Sequence, residues 1–123
     1  MPLIQETKVW GTVSHLFTSE HAAVSLLQLN AGFQCSRHLH KMRVNQFTVI
    51  SGIVQIQEWY QSGEFHVKTL LPGDTHCVGV GVLHRFRVLE SGTMVEVYWP
   101  VDVDDAVVRQ DDIVRFDEGG PDA

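Results

Sequence analysis

Short apolar-rich runs alternate along this chain with turn signals: Leu29-Asn-Ala-Gly32, Ser51-Gly52, Gln61-Ser-Gly-Glu64, Pro72-Gly-Asp74 and Glu90-Ser-Gly-Thr93. Gly, Pro, Asn, Asp and Ser punctuate a chain because they tolerate the backbone angles of turns. Between these breaks the pattern predicts strands at about 23–29, 45–50, 53–60, 65–71, 75–78, 84–89 and 94–99. Alternation is strict in His84-Arg-Phe-Arg-Val88. With His84 facing inward, Phe86 and Val88 follow it, and Arg85 and Arg87 face out. The same parity groups Asn45, Phe47 and Val49 on one face and sets Val54 and Ile56 against Gln55 and Gln57. Few stretches show helical spacing; a short helix near 104–110 is the one expectation of that kind. The rhythm is that of an all-β sandwich or barrel.

A chain of 123 residues suits one domain, 1–123, with the barrel at about 23–99 and an acidic C-terminal segment at 101–123. A hydrophobic fraction of 44% fills a core. No apolar run reaches the roughly 18–20 residues of a membrane span. The first residues lack a basic-then-apolar leader, so a cytoplasmic protein is expected by default. The net charge of −6 is unevenly placed: residues 1–100 carry seven acids and seven bases, and beyond Pro100 Arg109 and Arg115 face eight acids. No basic footprint for nucleic acid is present. The acidic segment is expected to solvate the chain end, and the last residues to fray. Cys35 and Cys77 are too few for a disulfide framework and are expected to be buried thiols.

Three histidines carry the candidate chemistry. His38 and His40 are two apart, so on a strand both rings point the same way. His84 joins them if its strand lies alongside, and three convergent imidazoles most often mean a metal ion. His15, His21 and His66 lie in loop-like or exposed contexts and are not expected to be ligands.

The spacing around these residues resembles the paired motifs of the cupin superfamily. Gly32, His38, His40 and Gly52 fit the first motif, and Gly73, Gly81 and His84 the second. The resemblance implies a double-stranded β-helix, a jelly-roll barrel. It also implies a divalent transition metal (Fe, Mn, Ni, Co or Zn) and a homodimer. Three positions depart from the motifs: Asn45 replaces the usual glutamate ligand, Gly79 a proline, and Val88 an asparagine. Lys8-Val-Trp-Gly11, Ser36-Arg-His-Leu-His-Lys and Asp111-Asp-Ile-Val-Arg115 are similar to the cupin-type mannose-6-phosphate isomerase relatives.

Asn45 alters the electrostatics of the expected site. Three imidazoles and an amide leave a divalent ion its full charge, which weakens metal affinity and favours an anionic or chelating substrate. Gln46 is the neighbouring amide and takes over if a bulge reverses the face. The metal ligands expected are therefore His38, His40, His84 and Asn45. One reading is an isomerase-like enzyme on a small sugar phosphate or polyol, in which the ion polarises a carbonyl and a base moves the proton. His76 and Glu96 are the candidate bases, although Glu96 between Val95 and Val97 also reads as a solvent-facing side chain. Which of His76 and Cys77 points inward stays open. Arg43 is the candidate substrate-binding residue; Arg37 and Lys41 read as surface charges. The alternatives are a His-only iron dioxygenase and a non-catalytic small-ligand binder, so catalysis itself stays open.

Overall fold

Residues 3–101 and 112–122 are described by the computed structural model. Among the described residues eleven strands follow in order: β1 Ile4–Lys8, β2 Gly11–Thr18, β3 Ala23–Leu29, β4 Phe33–Gln34, β5 His38–Leu39, β6 Arg43–Trp59, β7 Phe65–Leu70, β8 Thr75–Val78, β9 Leu83–Pro100, β10 Val114–Arg115 and β11 Gly120–Pro121. The inward parity read from the sequence holds for Asn45, Phe47, Val49, Val54, Ile56, His84, Phe86 and Val88, all buried, but Gln57, expected on the outer face, is buried too.

Two long strands organise the roll. β6 and β9 run antiparallel from Arg43↔Pro100 to Trp59↔Leu83. On one half, β9 continues through β3 and β2 to β1, and β6 pairs β8. On the other half, β6 pairs β7, and β9 pairs β4 and β5, which pair β11 and β10. The two halves wrap a shared core as one curled sheet. Val49, Val54, Ile56, Leu70, Val88 and Met94 are fully enclosed, each contributing about 1.5–3 kcal/mol by burial. Trp10 meets Phe86 edge-on with ring centroids 4.9 Å apart.

Ser51-Gly52 and Glu90–Thr93 do not end strands as expected. The ladder runs through them with register shifts between Val49 and Val54. Gly52 makes this possible at φ +81°, and a Cβ there would sit 2.5 Å from the Glu90 carbonyl oxygen. Bulges bend both strands so that one pair serves both halves of the roll.

Two N-terminal strands were not foreseen. β1 is mostly exposed, so no burial pattern marks it, and a register shift between His15 and Phe17 breaks the alternation of β2. The acidic segment also departs from expectation, because residues 112–122 dock. Asp112 accepts from the Lys41 and Met42 amides at 2.9 Å each. Asp117 accepts from the Arg37 amide and Nε at 2.7 and 2.6 Å, and Asp122 from Arg87 Nε at 2.8 Å. Carboxylates that find backbone amides and guanidiniums on the body do not stay in solvent. The helix expected near 104–110 lies outside the described residues. Cys35 is buried as expected, and burial pushes its thiol up to about 12. Cys77 is exposed, because the parity of β8 turns His76 and Val78 the other way. Among the described residues no helix is long and apolar enough to cross a membrane.

Candidate metal centre

The three histidines come from two places brought together by strand pairing. β5 lies beside the start of β9 with His38 directly opposite His84. His40 follows β5, and its carbonyl accepts from the Gly81 amide at 2.7 Å, tying it to the turn that leads into β9. Gly81 sits at φ +76°, a conformation that β-carbon-bearing residues rarely adopt. The ring centroids are 5.0 Å apart for His38–His40, 4.5 Å for His38–His84 and 5.6 Å for His40–His84. One nitrogen from each ring lies within 4.8 Å of the other two.

Backbone carbonyls fix all three rings in the same sense. Nδ1 of His38 donates to the Ser36 carbonyl at 2.7 Å, Nδ1 of His40 to Asp112 at 2.6 Å, and Nδ1 of His84 to Val82 at 2.9 Å. A proton on Nδ1 leaves the Nε2 lone pair for a cation, as ligating histidines require. His84 Nε2 is buried and has no hydrogen-bond partner among the described residues. An unpaired buried nitrogen is costly unless something occupies it, and a cation would do so. Burial, helped by neighbouring positive charge, holds His38 and His40 down to about 3. Burial also lowers His84. The rings are therefore neutral at physiological pH, the form that binds metal. The residues present fit a divalent transition ion.

Asn45 faces the site from β6, opposite Tyr98 of β9 and Val78 of β8. Its Nδ2 lies 3.3 Å from His40 Nε2 and donates to Glu96 Oε2 at 2.5 Å. Its Oδ1 is buried without a hydrogen-bond partner among the described residues. Gln46 points the other way, to Thr75 Oγ1 at 3.1 Å. Asn45 is thus the amide that shares the interior with the imidazoles.

A cavity of about 1020 Å³ opens over the centre. His38, His40, Arg43, Glu96 and Tyr98 are in its wall, and the docked C-terminal segment closes one side with Ile113 and Arg115. Glu96 is half-buried and turns into the cavity wall. Burial pushes its carboxyl up, against the lowering pull of Arg43, Asn45 and His15. Arg43 begins β6, is buried, and stacks over the Tyr98 ring at 4.0 Å.

His76 is brought elsewhere. Its Nε2 pairs with buried Glu58 at 2.9 Å, and it is not among the cavity-lining residues. Tyr60 donates to the same Glu58 carboxylate at 3.2 Å. His21 is exposed, and exposed His66 pairs with Glu64. His15 does not lie in a loop: it sits in β2, lines the cavity and contacts Ser25 Oγ at 3.4 Å.

Sequence reasoning missed two contributors from the C-terminal segment, Arg115 in the wall and Asp112 behind His40. Both fall in the Asp111–Arg115 stretch picked out by the family resemblance. Nothing local in that stretch shows that it returns to β5.

A scan against protein-family models finds no match, and neither does a search of the curated proteins. Solved structures do match. A variant of Bacillus subtilis oxalate decarboxylase superposes with TM-score 0.79 at 16% identity, covering 93% of this chain and 30% of that one. A study of the Mn(II) centres of the same enzyme gives TM-score 0.72 at 17% identity, covering 88% and 30%. The formate complex of Lactobacillus farciminis oxalate decarboxylase gives 0.72 at 17%, covering 83% and 32%. The chain thus spans about a third of the length of these neighbours. At such identities the likeness is one of fold, and this chain has the cupin fold.

Proposed function

We propose that this chain holds a divalent transition ion on His38, His40 and His84 and binds a small anionic, oxygen-rich ligand at it. One observation carries the reading: one nitrogen from each of three rings lies within 4.8 Å of the others, and each Nδ1 is taken by a backbone carbonyl, which leaves Nε2 as the ligating atom. The ligand class follows from charge. Neutral imidazoles contribute no charge to balance the ion, and Arg43 and Arg115 stand in the same wall as Glu6, Glu96 and Glu118. An anion offering paired oxygens balances the ion.

Mn(II) is the first ion to test, since structural neighbours include a protein described by its Mn(II) centres. A bound ion supplies Lewis acidity toward carboxylate or carbonyl oxygens. Small carboxylates, such as the oxalate and formate named for the neighbours, are one ligand arm. Sugar phosphates and polyols, the substrates of an isomerase-like enzyme, are the other. Glu96 is the one carboxylate of the expected pair of bases that lines the cavity, which favours it over His76 for any proton transfer. Dioxygenase chemistry on iron is the third arm, supported by the absence of a carboxylate at position 45.

Purified protein prepared without chelator should retain a divalent ion by elemental analysis. Calorimetric titration of the loaded protein with oxalate, formate and fructose 6-phosphate separates the first two arms, and ligand-dependent oxygen uptake of iron-loaded protein the third. Protein that takes up no Mn, Fe, Co, Ni or Zn overturns the proposal. The homodimer and the cytoplasmic location expected from the sequence are likewise proposals, and sedimentation velocity checks the first.

A further inference from the structure

Position 45 carries an amide, yet a carboxylate is still present one hydrogen bond further out. Glu96 Oε2 accepts from Asn45 Nδ2 at 2.5 Å, and the same nitrogen lies 3.3 Å from His40 Nε2. The approach is built by register. Phe47 is opposite Glu96 and Asn45 opposite Tyr98 on the paired strands β6 and β9, so the Glu96 side chain reaches one step along its neighbour toward Asn45. Glu96 also belongs to the cavity wall.

We infer that Glu96 is a positioning residue for the metal centre, supplying from β9 the negative charge that β6 lacks at position 45. This rests on the three-histidine reading above. Two features give Glu96 that role. Its carboxylate takes the Asn45 NH₂ group, which leaves Oδ1, buried without a hydrogen-bond partner among the described residues, as the end of the amide able to face a cation. It also places a carboxylate one hydrogen bond behind Asn45, where it offsets part of the charge of a bound ion. Arg43 and His15 are the cationic or titratable groups that face Glu96 from β6 and β2, and Arg43 is engaged with the Tyr98 ring. Carboxylates behind ligands commonly change metal affinity by about 10–100-fold. A glutamate at position 45 would make Glu96 redundant, and two carboxylates at that spacing would oppose each other.

The experiment is a double-mutant cycle at positions 45 and 96, read as Mn(II) affinity by calorimetry and as the paramagnetic resonance spectrum of the bound ion. Glu96→Gln should weaken Mn(II) binding about 10–100-fold and alter the spectrum, while the metal-free melting temperature shows that the fold persists. Asn45→Glu should recover that loss in the Glu96→Gln background and gain less than about threefold when Glu96 is present. Two results overturn the inference: Glu96→Gln binding Mn(II) as tightly as the parent, or Asn45→Glu gaining the same factor in both backgrounds. A parent protein that takes up no Mn(II), nor any other ion tested, overturns the three-histidine reading as well. Parent uptake with no effect at position 96 overturns this inference alone.

Discussion

His84 shows how one residue is made into a ligand. Its ring is 1% exposed, its Nδ1 is used by the Val82 carbonyl, and its Nε2 has no partner among the described residues. His66 has the same side chain on an exposed strand with a glutamate two residues away. The expected outcome is therefore sharply different for the two. His84→Ala should lower Mn(II) affinity by more than about 100-fold, since a direct ligand outweighs an outer partner. His66→Ala should leave it unchanged, and calorimetric titration of both variants checks this. Position 45 belongs to the same scale. Parity alone put Asn45 inside with Phe47 and Val49, and the structure agrees. Parity could not choose between His76 and Cys77, because β8 is four residues long with no strongly apolar run. The pairing Phe47↔His76 decided it.

At the scale of elements, the C-terminal segment is the unexpected part. Its strand β10 pairs with β5, Arg115 opposite His38, and the Asp112 carbonyl holds the His40 ring. Asp112→Ala removes two charge-assisted bonds to the Lys41 and Met42 amides. About 1–3 kcal/mol of docking free energy should go with them. Hydrogen exchange should then show faster opening of 112–122 while the β6–β9 ladder stays protected. Asp117 gives this segment a pH dependence. Burial pushes its carboxyl up, but the hydrogen bonds and charge of Arg37 outweigh that and hold it below the usual carboxylate range. A group lowered in the folded state stabilises above its unfolded value, about 3.9, and that stability is lost as pH falls through the lower folded value. The side chains are partly exposed, so the effect stays below about 1 kcal/mol. Asp117→Asn should reproduce at pH 7 the faster exchange that the parent shows only in acid.

For the whole molecule, the pairing of β6 and β9 matters most. Most of the chain hangs on this pair, and both strands bend at the same level. A Cβ on Gly92 would meet the Ser51 carbonyl oxygen at 2.1 Å. Gly92→Ala must force the ladder apart there, at a cost of several kcal/mol. That should lower the melting temperature by roughly 10 °C or more. Pairings such as Gln34↔Arg87 and Arg115↔His38 join distant parts of the chain. Long-range pairing of this kind slows folding, so refolding in the millisecond-to-second range is expected by stopped-flow fluorescence of the three tryptophans.

Local chemistry in the sequence determined a good deal: the all-β rhythm, the inward parity of the middle strands, the paired His38 and His40, and the amide at position 45. Each of these depends on neighbours within a few residues, and a period of two is visible at that range. Only the tertiary structure decided that turn-like Ser51-Gly52 continues a strand and that an acidic end returns to brace His40. It alone placed Glu96 behind Asn45 and set His76 against Glu58. Those outcomes are fixed by register between distant segments, as in the clamp of Arg37 by Asp117 across 80 residues. No pattern confined to one segment encodes the partner it will meet across a sheet.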